Sequence, residues 1–60
     1  MTNDPRFQRT EQLLQQAFIQ LMGTDGYDKI TVMQLINKAQ INRTTFYAHY
    51  QDKADLLQTL

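Results

Sequence analysis

Cysteine is missing from the sixty residues, so neither a disulfide framework nor a thiolate zinc site is available. No apolar run approaches the length of a membrane span, and the polar opening MTNDPRFQRT holds no secretory core. The chain is therefore expected to be cytoplasmic, with no membrane partner. Linkers, repeats and low-complexity runs are absent too, with glycine present twice and proline once. Net charge is zero, which taken alone speaks against a nucleic-acid partner. What is present is a balanced composition, 42% apolar and 20% charged, that suits a soluble folded chain. Sixty residues hold at most one small domain, so residues 1–60 are read as a single unit.

The zero net charge conceals a division. Residues 1–28 set Arg6 and Arg9 against Asp4, Glu11, Asp25 and Asp28, a balance of −2. Residues 29–51 carry Lys29, Lys38 and Arg43 and no acid, a balance of +3, with His49 able to add to it. Residues 52–60 return to −1 with Asp52 and Asp55 against Lys53. An acid-free run of this length also arises as an ordinary solvated face, so it needs support from elsewhere.

Apolar residues recur at helical spacing from the start: Phe7, Leu14, Ala17, Phe18 and Leu21 predict a first helix over about 5–23. Asp4-Pro5 supplies a cap followed by proline at the first helical position, and Thr10 is a later possible start. Gly23 and Gly26 bracket GTDG, a turn in which positive φ costs glycine little. In ITVMQL, Thr31 and Gln34 form a capping box flanked by the staple pair Ile30 and Leu35, and the second helix runs to about Ala39. Asn42 caps a third helix, with Ile41 and Phe46 as its staple. Asp52 caps a fourth, with Leu56, Leu57 and Leu60 as its apolar residues, and the chain stops soon after it begins. Strand alternation and hairpin dipeptides do not occur. The expected fold is all-α: a small homeodomain-like bundle whose second and third helices form a helix-turn-helix, followed by the start of a fourth helix.

In the third helix Phe46, Tyr47 and Tyr50 share one face and are assigned to the core. Arg43, Thr44, Thr45, Ala48 and His49 then line the other side or its edges. That set is short, acid-free and partly small, the profile of a helix that enters the major groove, where bulk is excluded and carboxylates are repelled by phosphate. Partial positive charge at a helix start favours acids there by typically ~0.3–1 kcal/mol. Arg43 and Lys53 nevertheless follow their caps directly, and a docked phosphate would reverse the sign of that preference.

Other chemistries find little to work with. His49 has no second histidine or cysteine and makes no metal site. Asp25 with Asp28, and Asp52 with Asp55, suit turns and caps better than acid–base catalysis. Met22, Met33 and the rings fit core and rim packing rather than a cofactor box. Neither a cofactor nor an enzymatic activity is expected.

The run GYDKITVMQLINKAQINRTTFYAHYQDKADLL, Gly26 to Leu57, resembles the DNA-binding domain of the tetracycline-repressor (TetR/AcrR) family of bacterial transcription regulators. LLQQAFIQLM is similar to that family's opening helix, and T-F-Y-x-H-Y-x-x-K-x-x-L, from Thr45 to Leu56, is the most specific part. The resemblance implies a ligand-responsive repressor with its third helix in the major groove, binding a palindromic operator as a homodimer through a C-terminal domain. Carried over by position, it implies DNA contacts at Thr31, Met33 and Gln34 in the second helix. In the third it implies contacts from Arg43, Thr44 and Thr45, with phosphate contacts from Tyr47 and His49, and a further phosphate contact from Lys53 at the start of the fourth. Two departures stand out. Gln40 occupies a turn position where the family commonly has glycine, and Ile36 a position where it tends to have alanine.

No ligand-binding or dimerisation domain is expected within residues 1–60, whether the chain is an excised domain or stands alone. Without a second reading head, its DNA affinity is expected to be weak and largely electrostatic. A different class of function, a helical protein–protein module docking through Leu56, Leu57 and Leu60, is the alternative.

Overall fold

Proline at a first helical turn loses nothing, since its missing N–H would have had no partner there. The computed structural model describes residues 5–60, and α1 (Pro5–Thr24) begins on that proline. The expected Asp4 cap lies outside the described residues. Thr10 starts no helix: its hydroxyl donates to the Arg6 carbonyl at 3.0 Å within α1. A single 3-10 turn (Tyr27–Lys29) follows, then α2 (Val32–Ala39), α3 (Arg43–His49) and α4 (Lys53–Gln58). Among the described residues there is no strand.

Gly23 lies inside α1, one residue before its end, so only Gly26 uses glycine's freedom. Gly26 has φ 84° and ψ 156°, a region closed to residues with a Cβ, and it turns the chain into the 3-10 segment. The Leu21 carbonyl accepts from both Asp25 N (2.7 Å) and Gly26 N (3.3 Å), closing the helix end.

The capping box of α2 is complete. Gln34 N donates to Thr31 Oγ1 at 3.1 Å and Thr31 N donates to Gln34 Oε1 at 2.9 Å. At the other end Gln40 stands in the left-handed region, φ 59° and ψ 45°. Gln40 N donates to Asn37 O (3.3 Å) and Ile41 N to Ile36 O (3.0 Å), the paired bonds of a Schellman motif. The turn thus keeps the conformation that suits glycine although glutamine occupies it. Asn42 Oδ1 accepts from Thr45 N at 2.7 Å to start α3, and Asp52 Oδ1 accepts from Asp55 N at 2.9 Å to start α4.

One core joins these elements: Leu14, Ala17 and Phe18 of α1; Ile30; Leu35, Ile36 and Ala39 of α2; Phe46 and Tyr50 around α3; and Leu56 of α4. The α1 helix packs against both α2 and α4, while α2 packs against α3. Ile36 fits into this core, with Ile41 partly buried against it. Two expectations need correction. Tyr47 is 50% exposed and belongs to the outer face, because Phe46 and Tyr50, one position before it and three after, are the residues of this segment that enter the core. Leu56 is fully buried and cannot form part of a docking face with Leu57 and Leu60, which are exposed.

Candidate nucleic-acid interface

Helical spacing puts residues i, i+1, i+4 and i+5 on one side of a helix. In α3 those are Arg43, Thr44, Tyr47 and Ala48, all exposed. Phe46 fixes the opposite side with its ring wholly buried, and Tyr47 stands edge-on to it at 5.2 Å between centroids. The outer face therefore presents a guanidinium, a hydroxyl, a phenol and a methyl group, with no carboxylate from Lys29 to Gln51 to oppose phosphate. Thr45 is half-buried at its edge.

The start of α2 is a second polar surface. Thr31 and Met33 are exposed, and Thr31 uses its hydroxyl oxygen as acceptor, so its O–H is left to donate outward. Gln34 is more committed. Its Oε1 holds the Thr31 N–H, and its Nε2 donates to Asp25 Oδ2 at 3.3 Å. One Nε2 hydrogen and one Oε1 lone pair are left over, but those two bonds fix the direction in which the amide points.

His49 and Lys53 also have partners within the chain. The His49 side chain, expected on the presented side, is only 5% exposed and turned toward α1. Its Nδ1 lies 3.3 Å from Glu11 Oε2, and its ring stacks on Phe7 at 3.8 Å between centroids. The i+3 spacing from Phe46 brings it round to the core side once α1 runs past. Lys53 Nζ donates to the carbonyls of Tyr27 (2.8 Å) and Ile30 (3.0 Å) and lies 4.3 Å from the centre of the Tyr27 ring.

Tyr50 completes the frame. Burial pushes its phenol above the usual tyrosine range, the Glu11 and Asp55 carboxylates push the same way, and hydrogen bonds with the Thr59 and Gln15 side chains pull it back. Sequence reasoning missed Glu11, Phe7, Asp25 and Tyr27 as positioning residues. No local signal marks them, since each acts on a residue nine or more positions away. Among the described residues no group of acids and histidines could hold a metal ion, and no helix is long and apolar enough to cross a membrane.

Comparison with known proteins gives this geometry a context. Residues 13–60 match the family described as bacterial regulatory proteins, tetR family. Over 58 residues, 95% of the chain, it is 41% identical to an uncharacterized HTH-type transcriptional regulator, YxbF, of Bacillus subtilis (strain 168), covering 15% of that protein. Over 48 residues, 80% of the chain, it is 35% identical to the HTH-type dhaKLM operon transcriptional activator DhaS of Lactococcus lactis subsp. lactis (strain IL1403), covering 26% of it. The chain thus spans about a quarter or less of the length of these curated relatives. No solved structure gives a significant match.

Proposed function

Because the chain belongs to the tetR family of bacterial regulatory proteins, we propose that its α2–α3 helix-turn-helix docks on DNA with α3 in the major groove. Binding of double-stranded DNA in transcription regulation is the family's function and this chain's. The observation that carries the docking mode is the exposed, acid-free face of Arg43, Thr44, Tyr47 and Ala48, backed by buried Phe46 and Tyr50. In this reading Arg43 and Thr44 reach base edges and Tyr47 reaches phosphate from the rim. Thr45, Thr31 and Met33 supply flanking contacts, the Thr31 hydroxyl to phosphate. Gln34 and His49 act one step back, Gln34 by building the α2 cap and His49 by tying α3 to α1.

The whole regulator is proposed to act in the cytoplasm as a homodimer on a palindromic operator, since two-fold symmetry in a protein is matched by two-fold symmetry in its site. A ligand acting through a further domain would release it. Repression, the sign implied by the resemblance, is not a property of a reading helix as such. The same contact represses or activates according to where the site lies beside a promoter, and the L. lactis relative is named an activator.

Fluorescence anisotropy with labelled duplexes over a salt series tests the reading. Binding should weaken steeply as salt rises. Arg43→Ala should redistribute preference among duplex sequences, by ~1–3 kcal/mol at one base pair if the guanidinium is bidentate there. Binding that is absent at high micromolar protein and low salt, or indifferent to salt, would refute it.

A further inference from the structure

Lys53 is the first residue of α4, where the exposed N–H groups of a helix repel a cation. The structure supplies a reason for it that needs no DNA. An ammonium has three hydrogens to donate, and two of them go to the Tyr27 and Ile30 carbonyls at 2.8 and 3.0 Å, with the Tyr27 ring face 4.3 Å away. Those carbonyls begin and follow the 3-10 turn, and Ile30 is the residue immediately before Thr31, the cap of α2. The lysine stem is half-buried, spanning from α4 to the point where α2 starts. The alkyl length of lysine and its compact head suit this task, because one small cation can lie between two backbone oxygens.

We infer that Lys53 serves DNA binding as a positioning residue, holding Thr31 and the start of α2 in register with α3, and does not itself neutralise a phosphate. This rests on the docking mode proposed above. It makes a distinction that affinity alone would miss. A phosphate-neutralising lysine contributes to the dependence of log K on log salt, by about 0.9 in slope for B-DNA, whereas a positioning lysine lowers affinity without changing the slope.

The sixty-residue chain is titrated onto one fixed duplex across a salt series, with the wild type as the reference and Lys53→Met as the test. Lys53→Met keeps much of the stem and removes the donor. It should lower affinity roughly threefold to tenfold at every salt concentration, as loss of hydrogen bonds of this kind does, with the wild-type slope. Lys53→Gln, neutral but still an N–H donor, should recover part of that loss, again with the wild-type slope, and covers the case in which the methionine variant folds poorly. In the DNA-free protein, Lys53→Met should shift the amide resonances of Ile30, Thr31 and Val32 and leave those of Thr44 to Tyr47 in place.

A slope made shallower by about 0.9 in either Lys53 variant would overturn the inference and make Lys53 a phosphate ligand. Unchanged affinity in Lys53→Met would overturn it as well. Failure of the wild-type chain to show salt-dependent binding would refute the docking mode itself, and the lysine's proposed role with it.

Discussion

Gln40 holds a backbone conformation in which an L-residue's Cβ crowds the following carbonyl, at a cost of roughly 1–2 kcal/mol. The Ile41-to-Ile36 and Gln40-to-Asn37 bonds keep it there, because releasing them would strand two carbonyls at the end of α2. Gln40→Gly should therefore stabilise the chain, by about 0.5–1 kcal/mol after glycine's greater freedom in the unfolded state is subtracted. In a domain of this size that is a rise in Tm of about 2–8 °C, measurable by thermal circular dichroism. An unchanged or lower Tm would mean that the turn stores no strain. The sequence left the conformation at this position open: the family's usual glycine pointed to a left-handed residue and the glutamine spoke against it, and the structure keeps the left-handed form.

At the scale of elements, the end of α1 separates two glycines that look alike in GTDG. Gly23 is helical, and a Cβ built on it meets nothing within 4 Å. Gly23→Ala should stabilise by about 0.5–1 kcal/mol. Gly26 also has open space around it but sits at φ 84°, so Gly26→Ala should destabilise by about 1–3 kcal/mol through backbone strain alone. Urea unfolding of the two variants tests this, and equal effects would contradict the distinction. The helix starts were legible in the sequence because their signals are local. Thr31 with Gln34, Asn42 with Thr45 and Asp52 with Asp55 act over three residues, so their hydrogen bonds follow from chain geometry. Whether a ring or imidazole on α3 faces in or out depends on where α1 lies. That left Tyr47 assigned to the core, where packing exposes it, and His49 to the outer side of α3 or its edge, where α1 covers its side chain.

For the whole molecule, Tyr50 is buried in the core that α1, α2, α3 and α4 share, and its phenol feels side chains of both α1 and the α4 end. Its folded-state pKa lies above its unfolded value, so the folded protein favours the neutral phenol. That contribution is complete below about pH 10, the ordinary tyrosine pKa, and disappears as pH rises through the raised one. Denaturation midpoints between pH 8 and 11 should fall more steeply in the wild type than in Tyr50→Phe, and parallel curves would show that Tyr50 titrates normally. Such surroundings were out of reach of pattern reading, since Gln15 and Thr59 lie 35 and 9 positions away in sequence. The overall scheme was not. Periodicity and caps marked an all-α helix-turn-helix.

The helix proposed to read DNA, α3, is short, seven residues from Arg43 to His49. At about 1.5 Å per residue it is about 10 Å long, less than the roughly 12 Å width of the major groove, and it can lie inside without riding up on either strand. The same length passes only about three base pairs at 3.4 Å each. A three-letter word in a four-letter alphabet recurs by chance about once in 64 positions, so one such surface could not select one promoter from a bacterial chromosome. An address of useful length requires several of these words read together at a fixed spacing.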